Sequence, residues 1–227
     1  MPLKLWVLIG ALIFFVVGKS HSQPVDSMAQ RMTACTVCHG KEGRAAPDGF
    51  YPRIAGKPAQ YLYQQLKSFQ QRRRNYDVMT HMVRNLSDDY LKAIATYFSE
   101  LDLPYAAPIA AGASPTDLSR GEQLVKRGDA TLKIPACNQC HGDQMTGMLP
   151  ETPGLLGLPR DYINSQIGAW KEGSRKGQAP DCMNKVAKQL NAQDLSAISS
   201  WLSAQPVPAN GKPALQQPVA TAARCDW

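Results

Sequence analysis

Two short stretches carry residue types whose spacing suits a covalent cofactor. Cys35-Thr36-Val37-Cys38-His39-Gly40 and Cys137-Asn138-Gln139-Cys140-His141-Gly142 each place two thiols three positions apart, with an imidazole directly after the second. In C-x-x-C-H the thiols are spaced to add to the two vinyl groups of one haem, and the histidine reaches the iron from the same local turn. A covalent haem also gives a small domain a large apolar disc in place of missing core. Two alternatives use part of the pattern: a dithiol pair for redox exchange, or half of a zinc site. The histidine in both copies, the repeat around them and the export segment described below favour haem. Cys35, Cys38, Cys137 and Cys140 are therefore expected to carry two haem c groups, with His39 and His141 as iron ligands.

An iron held by one histidine has a sixth position to fill, and methionine is the expected residue there in an electron carrier. The first copy offers Met79 and Met82, with His81 between them, and the second offers Met183. Met79 lies eight residues before Ser87 and Met183 lies eight before Asn191, at the starts of matching helices. That register selects Met79 over Met82 and His81, and leaves His81 facing solvent or a haem propionate. A lone methionine is more often core packing; the matched position is what favours ligation. Met145 and Met148 follow the second motif without counterparts and read as packing against haem or the other domain. A ligating histidine also needs its other ring nitrogen fixed, commonly by a backbone carbonyl. Pro47 and Pro150, downstream of His39 and His141, supply the candidate carbonyls, with loop stiffening as their competing role.

The elements around these residues repeat in tandem. Pro52-Arg53-Ile54-Ala55-Gly56 matches Pro153-Gly154-Leu155-Leu156-Gly157, residues 61–69 (YLYQQLKSF) match 162–170 (YINSQIGAW), and 86–101 match 190–205. Copies about a hundred residues apart are two domains of one kind, not a solenoid of short units. The 227 residues, 44% of them hydrophobic, suffice for two small cores, and a charged fraction of 19% does not suggest disorder. Each copy reads as helical: Leu86, Leu91, Ile94, Ala95 and Phe98 recur near the 3.6 period, with Ser87 as N-cap, and Leu195, Ile198, Trp201 and Leu202 echo them. Asp117 is a candidate cap for a helix through Lys126, in which Gly121 permits close helix contact; no alternating strand pattern stands out. The expected fold class is all-α, with domains at 23–103 and 117–206, an Ala/Pro-rich linker at 104–116 and an irregular tail at 207–227.

Lys4 precedes an uncharged apolar run from Leu5 to Gly18, followed by Lys19 and small residues at Ser20 and Ser22. Residues 1–22 read as a secretory signal peptide; an uncleaved anchor is the alternative, although the run is short for a bilayer span. Either way the rest of the chain is exported, with membrane attachment under the second reading. The formal charge is +7, and loss of Lys4 and Lys19 lowers it by two. There is no long basic run beyond Arg72-Arg73-Arg74, so no nucleic-acid partner is expected. Arg72, Arg73, Arg74 and Arg175 precede the methionine loops and are candidates to pair with haem propionates or steer an acidic partner; a solvated basic loop is the competing reading.

Together, CxxCHG, the PxxAG/PxxLG-type segment, the YLxxQLxxF helix, an Arg-rich loop with a methionine and the following LSDxxxxxIAxY helix, each present twice, resemble the diheme class I cytochromes c of the c4 type over about residues 28–205. The resemblance implies two cytochrome c domains, each wrapped on one haem and facing the other across a pseudo-twofold. It further implies His/Met ligation of both irons and electron shuttling in the bacterial periplasm. The implied partners are redox proteins: a quinol-oxidising complex or cytochrome upstream, and a terminal oxidase or reductase downstream. The chain departs from the family in places. The first copy lacks a counterpart of Gly121, so its first helix is expected to be short or altered. Cys182 beside Met183 and Cys225 in the tail are the two cysteines outside CxxC. In an exported chain they are expected to pair; the alternative is that Cys182 ligates iron.

A diheme peroxidase or a sulfur-compound dehydrogenase would need an open, His-ligated or Cys-ligated iron, which matched methionines argue against. A haem subunit fixed in a respiratory complex is a further rival. The purified protein should hold two covalent haems. Acid–acetone extraction should leave the colour with the polypeptide, and colour leaving with the solvent would overturn the reading of both motifs.

Overall fold

The computed structural model describes residues 26–45, 49–108, 112–215 and 225. The expected export segment 1–22, Pro47, part of the linker and most of the tail lie outside the described residues. The first half comprises α1 (Met28–Arg31), α2 (Thr33–His39), a 3-10 turn (Lys41–Gly43), α3 (Ala59–Gln70), α4 (Asp77–Val83) and α5 (Asp88–Glu100). The second comprises α6 (Pro115–Arg127), α7 (Asn138–His141), α8 (Arg160–Lys171), α9 (Cys182–Gln189) and α10 (Ala192–Ala204). Between α7 and α8 a two-residue strand β1 (Gly147–Met148) pairs antiparallel with β2 (Thr152–Pro153). Strands of two residues are too short for an alternating pattern to register in sequence, so this hairpin adds to the helical expectation without changing the fold class.

The paired helices start where short polar side chains satisfy free backbone N–H groups. Ser87 Oγ accepts from the Tyr90 amide at 3.3 Å, and Asn191 Oδ1 from the Asp194 amide at 2.8 Å. Asp88 and Asp89 in the first turn of α5 complement its dipole. The inward faces of α3 and α5 bury Leu62, Ile94, Ala95 and Phe98 with Met32 from the first loop. Phe69, Val83 and Leu91 bring in α4. The second half repeats this with Ile163, Ile167, Ile198 and Leu202, and adds Leu124 and Val125 from α6.

Helix α6 begins three residues earlier than Asp117 suggests. Its N-cap is Ser114, whose Oγ accepts from the Asp117 amide at 3.1 Å, and Pro115 occupies the first helical position, where its fixed φ is an advantage. Asp117 instead accepts the Ser114 hydroxyl at 2.8 Å. Among the described residues the first half has no equal of this helix: α1 has four residues and α2 follows at once. Gly121 explains how α6 lies so close to α10. A Cβ there would collide with the Ala197 carbonyl oxygen and come within 2.8 Å of the Trp201 Cβ.

The described part of the tail is irregular but tied down. Ala214 donates to the Gly147 carbonyl at 2.9 Å and accepts from the Leu149 amide at 2.8 Å, and Lys212 pairs with Asp102 at 2.8 Å. Cys225 is fully buried and disulfide-bonded to Cys182, 43 positions away. Closing a loop of that length contributes about 4 kcal/mol in the chain-entropy account. Gly121→Ala should destabilise the protein by at least about 1–3 kcal/mol through overpacking, read as a lower Tm by far-UV circular dichroism; an unchanged Tm would mean that α6 can withdraw from α10 without cost.

Candidate haem sites

In α2, Cys35, Cys38 and His39 stand at positions i, i+3 and i+4, which share one helical face. In the second half, Cys137 is the N-cap residue of α7, already in helical conformation, so Cys140 and His141 keep the same relation to it. Both histidines are buried. His39 Nδ1 lies 2.9 Å from the Pro52 carbonyl oxygen, and His141 Nδ1 lies 2.7 Å from that of Pro153. With Nδ1–H donating to a carbonyl, Nε2 is the nitrogen left to bind a metal. Burial holds both imidazoles below the ordinary histidine range, against the raising effect of those carbonyls, with Arg74 adding to the lowering at His39 and Lys57 at His141. A neutral imidazole is the ligating form.

The carbonyls therefore come from Pro52 and Pro153, and at His141 the expected Pro150 is not the one used. Pro47 lies outside the described residues, and Pro150 sits at the turn of the β1–β2 hairpin. The reason is the path of the loop. In the first half the Ile54 and Ala55 amides donate to the Gly43 carbonyl at 2.9 and 3.0 Å; in the second the Leu155 and Leu156 amides donate to Met145 at 2.8 and 3.4 Å. These bonds fold Pro52 and Pro153 back over the imidazoles. Pro52 and Pro153 occupy the same place in the aligned repeat segment, and that was the available sequence signal. Met145 adopts φ 58° where the first half has Gly43, and its side chain is buried in the second core.

The candidate methionines differ in burial. Met79 is partly buried on α4, against the Phe69, Val83 and Leu91 cluster, whereas His81 and Met82 on the same helix are exposed. Met183 is partly buried near the start of α9, which Asp181 caps by accepting from the Asn184 amide at 3.1 Å. Lys185 Nζ donates to the Cys225 carbonyl at 2.8 Å, so the tail and its disulfide clamp this helix. A cysteine committed to a disulfide is not a thiolate ligand, which removes Cys182 from the candidate iron ligands.

Between the halves lies a symmetric polar layer. The backbones of Arg74 and Arg175 pair as an antiparallel bridge, with Asn75 N donating to Ser174 O at 2.8 Å and Lys176 N to Arg73 O at 2.7 Å. Arg74 donates to Gln65 at 3.0 Å, Gln166 at 2.6 Å and the Tyr162 hydroxyl at 3.0 Å. Arg175 donates to Gln166 at 2.8 Å and Gln65 at 2.9 Å. Each guanidinium stacks on the aromatic ring of its own half, Phe69 at 4.6 Å and Trp170 at 3.8 Å. Gln65 and Gln166, like the two arginines, are repeat equivalents, so the layer has the pseudo-twofold that the resemblance implies. Arg72 is exposed and stays outside it.

The residues fit the cofactor. Arg175 is buried, and neither it nor Arg74 has an ion pair with a carboxylate among the described residues. Buried cations want anionic partners, and the carboxylates of a haem are of that kind. The donor set of two thiols and one imidazole on a single turn matches the group twice. Among the described residues no three His, Cys, Asp or Glu side chains are arranged to hold a metal ion. No helix among the described residues is long and apolar enough to cross a membrane.

No protein-family model matches the chain. It is 41% identical over 200 residues to a thiosulfate dehydrogenase electron acceptor of Thiomonas intermedia, covering 88% of each chain. It superposes on reduced recombinant cytochrome c4 of Pseudomonas stutzeri with a TM-score of 0.67 at 30% identity, over 77% of this chain and 94% of that one. It also matches a thiosulfate dehydrogenase (TsdBA) of Marichromatium purpuratum with a TM-score of 0.67 at 29% identity, covering 76% of this chain but 36% of that one. Sequence and fold agree with the paired sites: the chain belongs to the cytochrome c4 family of diheme electron carriers, with a haem c on each CxxCH motif and His/Met iron ligation.

Proposed function

We propose that this chain is the periplasmic electron acceptor of a thiosulfate dehydrogenase, with His39 and Met79 as iron ligands in domain 23–103 and His141 and Met183 in domain 117–206, and that it passes electrons to a terminal oxidase or reductase. The observation that carries the reading is the doubled donor set: two cysteines and a carbonyl-pinned imidazole on one turn, with a methionine at matched register ahead of the last helix of each half. The 41% identity to a named acceptor, and the match to part of a thiosulfate dehydrogenase chain, supply the class of donor.

Each haem c, when bound, supplies an iron that gains or loses one electron. The chain's own groups keep that change cheap. The Pro52 and Pro153 carbonyls hold the imidazoles in one orientation in both oxidation states. Met79 rests on the apolar cluster of Phe69, Val83 and Leu91, and Met183 on a helix clamped by the disulfide, so neither thioether needs to move. A thioether ligand favours the reduced iron and raises the potential. Arg74 and Arg175 offer guanidinium groups to haem carboxylates at the contact between the halves. The Cys182–Cys225 bond supports an oxidising compartment, with residues 1–22 as the export segment. Mass spectrometry of the mature N-terminus tests the latter.

Met79→His or Met183→His should lower the potential of one haem by on the order of 100 mV or more, with the other unmoved; unchanged potentials in both variants would overturn the ligand assignment. In stopped-flow mixing, thiosulfate with thiosulfate dehydrogenase should reduce both haems, and thiosulfate alone should not. If dithionite reduces the protein but the enzyme with thiosulfate leaves it oxidised, the partner assignment fails.

A further inference from the structure

Lys57 is a lysine with almost no exposed surface, and it reaches from the first half into the second. Its Nζ donates to the Gly154 carbonyl at 3.1 Å. Gly154 directly follows Pro153, whose carbonyl fixes His141 Nδ1 at 2.7 Å. A cation from one domain is thus attached to the turn that orients the iron ligand of the other. The repeat makes this one-sided. Lys57 follows Pro52-Arg53-Ile54-Ala55-Gly56, and the residue in its place after Pro153-Gly154-Leu155-Leu156-Gly157 is Leu158. Arg53, the counterpart of Gly154, directs its guanidinium to the Ala55, Leu103 and Pro104 carbonyls and stacks on Tyr105 at 3.9 Å.

We propose that Lys57 is a positioning residue of the first domain that sets the potential of the second domain's haem, its ammonium group holding the Pro153–Gly154 turn against His141 and favouring the reduced iron there. The physical argument is charge. Reduction removes one positive charge from the iron site, so a nearby buried cation stabilises the reduced form relative to the oxidised one. Burial keeps the interaction strong, because water does not screen it and no carboxylate among the described residues pairs with Lys57. Burial, with a smaller effect from Arg53, pulls the Lys57 ammonium down to about 8, so it is still mainly charged at neutral pH.

This rests on the His/Met reading of each iron, and the test keeps the two apart. Spectroelectrochemical titration of the haem-loaded protein at pH 7 is carried out in the Met79→His background, where the first haem moves to low potential and the remaining couple belongs to the second. If that background shows no displaced couple, the ligand reading fails, not the role of Lys57. Given the displaced couple, Lys57→Gln retains a donor for Gly154 but loses the charge. It should shift the reduced-to-oxidised ratio of the second haem roughly tenfold toward oxidised at fixed applied potential. Lys57→Met, without charge or donor, should shift it in the same direction by at least as much, and Lys57→Arg should stay within about twofold of the parent, as expected where charge is kept. The proposal is overturned if Lys57→Gln and Lys57→Met leave the ratio unchanged, if Lys57→Arg shifts it as far as they do, or if the first haem moves equally.

Discussion

The bond from each histidine Nδ1 to a proline carbonyl organises the rest of this protein. It is made twice, His39 to Pro52 and His141 to Pro153, and in each case it joins a short helix bearing the thiols to a loop twelve or thirteen residues further on. Turning that loop back requires the next amides to find acceptors, which Gly43 and Met145 provide. The same loop then delivers α3 and α8, whose aromatic and glutamine residues build the contact between the halves. A ligand orientation is thereby tied to the core on one side and to the domain interface on the other.

The interface carries unusual electrostatics for its size. Arg74 and Arg175 meet backbone to backbone, share Gln65 and Gln166, and among the described residues face amide oxygens, the phenols of Tyr61 and Tyr162, and aromatic rings. Two guanidinium groups so close repel one another, which is among the reasons why Arg175, chiefly through burial, is held below the usual arginine range. Such an arrangement suits a contact that receives anionic cofactor carboxylates from both sides. Lys57 adds a further buried cation from one half only, and with it a difference between halves that are otherwise near copies.

The two halves also differ in how they secure their methionines. Met79 rests on an apolar cluster made by α3, α4 and α5. Met183 lies on a helix whose neighbour Cys182 is bonded to the tail, where Lys185 adds a hydrogen bond to the Cys225 carbonyl. The long α6, which Gly121 lets pack against α10, has no equal among the described residues of the first half. The repeat thus places the two methionines at matched positions while their supports diverge.

What the sequence determined by itself is what depends on neighbours along the chain. Cys35, Cys38 and His39 fall on one face because a helical turn has 3.6 residues, and the same spacing at Cys137, Cys140 and His141 identifies the cofactor and its number. The period of α5 and the cap at Ser87 are local in the same sense, and the repeat register separated Met79 from Met82 and His81. What only the tertiary structure decided depends on which backbone comes near. Pro52 and Pro153 supply the carbonyls, the latter in place of the expected Pro150, because any residue has a carbonyl and only the path of the loop selects one. Lys57 gave no signal in sequence, since a lysine is ordinarily a solvated surface residue. It became informative once the packing of one domain on the other had buried its ammonium beside the histidine turn of its neighbour.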